Sequence, residues 1–186
     1  MISVGVLVLL GIIGIIILWF IIAYNGLVRL RNRVKNAWHQ IDVQLKRRYD
    51  LIPNLVEVVK DYMSYEQETL EKVIKARNMA INASGAKKQA EAENILSDTL
   101  KSLFAVVERY PELKSNQNVQ SLQEELISTE NKISFARQFY NDIVYRFNTR
   151  TEVIPTNIIA GLFNFKAEEF FEVEEAGREP VKVDLR

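Results

Sequence analysis

Residues 119–147 read VQSLQEELISTENKISFARQFYNDIVYRF. Within them Val119, Leu122, Leu126, Thr129, Ile133, Ala136, Tyr140, Ile143 and Phe147 step by three and four without a break. That spacing gathers side chains on one face of an α-helix. A strand would set its apolar residues at alternate positions instead, and no run before the C-terminal tail does so convincingly. The stretch predicts one long amphipathic helix, following Ser115-Asn116, whose seam needs other helices to cover it.

Those partners lie upstream. Leu27, Leu30, Val34, Ala37, Ile41 and Leu45 repeat the same steps, widened by Trp38. The pattern fades around Tyr49-Asp50-Leu51-Ile52-Pro53. Asp is a good N-cap and Pro is tolerated in a first turn, so a second helix is expected to start there. It continues through Val56, Val59, Met63, Leu70 and Val73 to Asn82, before a turn at Ala83-Ser84-Gly85. A third helix runs from Lys87 with Leu96, Leu100, Leu103 and Val107 on its face, and stops before Pro111. Four amphipathic helices with short turns predict an all-α fold, an antiparallel up-and-down four-helix bundle with coiled-coil character. The second and fourth helices, at roughly 32 residues, would each be about 48 Å long.

Ahead of the bundle, Ile2 to Tyr24 carries no charge and is mostly Ile, Leu and Val. Crossing about 30 Å of hydrocarbon takes roughly 20 such residues. Trp19 and Tyr24 sit near one end, where aromatic rings with a polar edge favour the headgroup level. A cleaved secretory signal fits less well: the segment is too long, no basic residue precedes it, and no small-x-small site follows. Gly11 and Gly14 lack the four-residue spacing of the known helix-dimer motif. The chain therefore divides into a transmembrane helix at 2–24 that continues into the bundle, the bundle at 25–150, and a tail at 151–186. Arg29, Arg31, Arg33 and Lys35 follow the span before the first acidic residue, Asp42. Basic residues at a membrane end are retained in the cytoplasm, so the N-terminus is expected outside and the body inside. The same four cations suit anionic lipid headgroups.

Composition narrows function mainly by exclusion. The formal net charge of zero offers nothing to nucleic acid. With no cysteine there is no disulfide, thiolate metal site or cysteine nucleophile. His39 is the single histidine and lies beside Trp38 near the apolar face, a place that suits packing better than catalysis. There is no Glu-x-x-His pair for a di-iron centre, and Gly85 stands alone rather than in a phosphate loop. Neither a cofactor nor a metal is expected. Glu91 and Glu93 read as solvated. Lys46-Arg47-Arg48 reads as a basic helix C-terminus favoured by the dipole, and Phe139-Tyr140 as core. Glu66 and Arg77 occupy seam positions of the second helix, and Glu130 and Arg137 flank that of the fourth. Register drift would send them to solvent; otherwise they form a polar layer that fixes bundle register. In the tail, Ile158, Ile159, Leu162, Phe163 and Phe165 are costly to leave in water. They are expected at the bundle's open end, at the lipid interface, or at both.

Three segments also carry a resemblance: YNGLVRLRNRVKNAWHQIDVQLKRRYDLIPNLVEVVK after the apolar run, ENKISFARQFYNDIVYRFNT, and IIAGLFNFKAEEFFE. In this order and spacing they resemble the LemA family of bacterial membrane proteins. The resemblance implies an N-terminal membrane helix, an all-helical bundle and the bacterial cytoplasmic membrane, with no catalytic residues to carry over. The expected function is that of a non-enzymatic, membrane-tethered module that binds or scaffolds another protein. Its partners would be membrane lipid and an unidentified protein; the sequence leaves the oligomeric state open. The alternatives are a signalling subunit acting through the anchor helix, and an enzyme with an unrecognised carboxylate site.

Overall fold

A computed structural model describes residues 3–63 and 65–171. It contains no strand among the described residues, and its helices are α1 (Val4–Lys60), α2 (Gln67–Asn82), α3 (Ala86–Val107), α4 (Pro111–Lys114), α5 (Gln117–Glu152) and α6 (Thr156–Leu162). The first part of α1 is long and apolar enough to cross a membrane; no described residue before Leu27 is buried, and only Phe20, Ala23 and Tyr24 at its end pack against the core. From Leu27 onward the same helix runs antiparallel to α5. Leu27 to Leu45 pack with Ile133 to Phe147, and Ile52 to Val59 with Leu126 and Val119. The hairpin of α2 and α3 completes four helices at the distal end.

The predicted break near Pro53 does not occur. α1 is one helix of 57 residues, and its chain reverses only after Lys60. α2 is correspondingly short, at 16 residues. A proline within a helix removes one hydrogen bond, leaving the carbonyl four residues earlier without its amide partner. Here that carbonyl belongs to Tyr49, and Arg77 Nε on α2 donates to it at 2.7 Å. The break is repaired from a neighbouring helix.

α5 follows its seam closely. Asn116 caps it, its side-chain oxygen accepting from the amides of Asn118 and Val119. Val119, Leu126, Thr129, Ile133, Tyr140, Ile143 and Phe147 are buried. Of the aromatic pair expected in the core, Tyr140 is buried, but Phe139 is exposed because it lies off the seam. Gly85 opens α3 with φ +87°, in the left-handed region that glycine enters without steric cost.

Candidate functional site

The core is two apolar clusters rather than one. The proximal cluster ends on α1 at Leu45 and on α5 at Ile133. The distal cluster begins at Ile52 on α1, Ala92 on α3 and Leu126 on α5. Between them lies a layer of polar groups. Arg48 is 3 % exposed and Glu93 1 % exposed. Arg48 Nη1 lies 3.1 Å from Glu93 Oε2 and 2.9 Å from Glu130 Oε2, and its Nη2 donates to Ser97 Oγ at 2.8 Å. The Tyr49 hydroxyl donates to Glu93 Oε1. Gln89 Nε2 reaches the Tyr49 hydroxyl at 2.9 Å and the Ala80 carbonyl at 3.0 Å. Burial pushes the Glu93 carboxyl above its ordinary range, against the opposing pull of the Tyr49 hydroxyl, Arg48 and Gln89. Burial also raises the Tyr49 phenol, helped by its bond to Glu93.

Two expectations are corrected here. Arg48 does not end a helix: α1 continues for three more turns, and the side chain points inward. Glu93 is not solvated, because its position on α3 faces Arg48 and Tyr49. Of the four residues expected in a polar layer, Glu130 joins it. Arg77 bonds the Tyr49 carbonyl rather than a carboxylate. Glu66 stands in the turn before α2, remote from the layer. Arg137 lies over the Phe171 ring, 4.8 Å from its centroid. A cleft of about 210 Å³ opens beside the layer between α3 and α5, lined mainly by Leu100, Phe104, Leu126 and Ile127, with Arg48 and Glu130 at one side. His39 is surface-exposed, 3.8 Å from Asp42. Among the described residues no three His, Asp or Glu side chains gather as a metal ion would need.

Residues 151–171 form a collar at the other end of the bundle, and the rest of the expected tail, 172–186, lies outside the described residues. α5 holds the collar through two asparagines spaced seven apart. Asn148 Nδ2 donates to the Glu168 carbonyl, and its Oδ1 accepts from the Glu168 amide, both at 2.9 Å. Asn141 pairs in the same two-way manner with the backbone of Phe171. The Tyr140 hydroxyl donates to the Glu169 carbonyl at 2.9 Å, and burial with Glu168 and Glu169 pushes that phenol up to about 12. Phe171 lies 5.8 Å from Trp38, and Phe165 6.0 Å from Tyr24. Phe163 sits 4.6 Å from Tyr24 and 5.9 Å from Phe20, at the end of the apolar segment of α1. Ile159 and Phe165 face the bundle, whereas Ile158, Leu162 and Phe163 are exposed. Of the basic cluster, Arg29, Arg33 and Lys35 are exposed, while Arg31 stacks over Phe165 at 5.0 Å.

An apolar N-terminal helix, long enough to cross a membrane, runs on into a bundle clasped by the segment that follows α5; this is the build of a membrane-associated helical protein. The LemA family model matches residues 37–185, and the chain belongs to the LemA family. It is 26 % identical over 167 residues to Protein LemA of Metamycoplasma hominis, covering 89 % of this chain and 76 % of that one. It is 23 % identical over 184 residues to the magnetosome proteins MamQ 1 and MamQ 2 of Paramagnetospirillum magneticum, covering 85 % of this chain and 68 % of each relative.

Proposed function

We propose that the chain is a non-enzymatic module anchored in the bacterial cytoplasmic membrane, with its N-terminus outside and its bundle in the cytoplasm. There it binds another protein, or holds one near the bilayer. The observation that carries this is the continuity of α1, which passes from the apolar segment into the core without a break. A bundle carried in this way stands upright with its flanks free for partners. The exposed Arg29, Arg33 and Lys35 beside the span support the cytoplasmic orientation. The paired state of Arg48, Glu93 and Glu130 favours a structural role for this charged cluster. Crosslinking in native membranes should capture a distinct protein partner on the bundle's flanks. Turnover of a small substrate by the purified chain, with no partner captured, would overturn the reading. For orientation, a Lys101→Cys variant should resist an impermeant maleimide in intact cells and react in inverted vesicles. The reverse pattern would put the bundle outside.

α1's continuity through Asn25 and Gly26 also favours a second reading, in which the bundle relays movement of the span to a signalling partner. A partner whose output changes when the span is replaced by an unrelated one would support it.

A further inference from the structure

We propose that the outward face of α6 and the turn before it form a lipid-contact surface, lying in the interfacial layer of the same bilayer that α1 crosses. This rests on the reading of α1 as a membrane span. α6 is two-faced: Thr156, Ile159 and Ala160 pack inward, while Ile154, Ile158 and Leu162 are 83 %, 61 % and 69 % exposed. Ile158 and Leu162 lie four apart and so share one side of the helix, and Phe163 extends that side.

The height of this face is fixed by contacts. The Phe163 ring packs on Phe20, inside the apolar run, and on Tyr24, at its end. A bilayer placed around residues 4 to 23 therefore meets α6 at its headgroup boundary, about 30 Å of hydrocarbon being spanned by such a run. The exposed cations agree with that placement, while Glu152, between Arg150 and Ile154, is exposed as well. Arg29 and Arg33 on α1 and Arg150 in the last turn of α5 are exposed on the bundle side of the patch, where lipid phosphates would meet them. Large apolar side chains on one face, with cations beside them, are the composition of an interfacial helix. A second copy of the chain is the other occupant to be tested.

The chain has no cysteine, so single-cysteine variants of the full protein report cleanly. Leu162→Cys, Leu18→Cys and Lys101→Cys would each carry an environment-sensitive fluorophore in phosphatidylcholine–phosphatidylglycerol vesicles. These vesicles would contain a nitroxide-bearing lipid, labelled either near the headgroup or deep in the acyl chain. The Leu162 site should lose most of its emission to the shallow nitroxide, the Leu18 site to the deep one, and the Lys101 site to neither. An unquenched Leu162 site beside a quenched Leu18 site overturns the lipid surface and leaves the span standing. If the unlabelled Leu162→Cys thiol also resists a water-soluble reagent, protein covers it instead. An unquenched Leu18 site overturns the span, and the proposal with it.

Discussion

Arg77 Nε donates to the backbone carbonyl of Tyr49 at 2.7 Å, the acceptor that Pro53 leaves vacant four residues further along α1. A charged seam residue on one helix thus replaces the hydrogen bond that an imino acid removes from another. Arg77→Met should cost about 1 kcal/mol, because a part-buried acceptor loses its donor. In a Pro53→Ala background the amide returns, so the same substitution should cost clearly less. Denaturant unfolding of the detergent-solubilised chain measures the cycle; equal costs in both backgrounds would show that the two residues act independently.

Arg48 serves two carboxylates, the buried Glu93 and the half-exposed Glu130. Arg48→Met should destabilise by about 3–5 kcal/mol, because buried Glu93 loses its cationic partner. The double variant Arg48→Met with Glu93→Leu should recover much of that loss. If the double variant is as unstable as the single, packing rather than charge holds the layer.

The raised carboxyl of Glu93 gives an unusual sign with pH. Its folded-state pKa lies above the unfolded value of about 4.3. Between the two values the folded chain therefore binds more protons than the unfolded one. Its contribution is complete below the unfolded value and declines as pH rises through the folded one. The stability advantage of the parent over Glu93→Gln should be greatest near pH 4 and shrink toward neutrality. Urea titrations across that range read the slope, and an advantage that grows with pH would mean that Arg48's attraction outweighs burial.

Asn141 and Asn148 each grip the tail backbone with two bonds. Replacing either with Ala should cost about 1–3 kcal/mol and speed protease cleavage between Phe163 and Phe171. Limited proteolysis followed by mass analysis would show it; a cleavage rate unchanged in the double variant would mean that Phe165 and Phe171 alone hold the tail.

Gly26 lies within α1 with no heavy atom within 4 Å of where a Cβ would sit. Gly26→Ala should therefore stabilise α1 by up to about 1 kcal/mol through helix propensity. A lower melting temperature instead would point to a close-packed neighbour at that position.

Much of this architecture is legible in the residues. The seams of α3 and α5 can be traced because their apolar positions keep step over several turns, and Asn116 and Gly85 announce a start and a turn. The charge layer is hidden for a physical reason. Arg48 and Glu93 owe their burial to each other across 45 residues of chain, and neither breaks the local pattern more than a solvated residue would. Pro53 misleads similarly, since its replacement donor sits on a different helix. The reversal after Lys60 carries no glycine or proline to mark it.

A continuous helix ties distance to angle: each residue adds about 1.5 Å of height and turns the axis by about 100°. α1 is clasped by the tail at two levels, against Phe20 and Tyr24 below and Trp38 above. The protein is thus keyed like a shaft in a slotted collar. One residue inserted between Tyr24 and Trp38 would carry the two aromatic grips out of phase, and the tail could engage only one of them. Any twist applied at the apolar end must be delivered whole to the bundle, or be taken up by the collar's release.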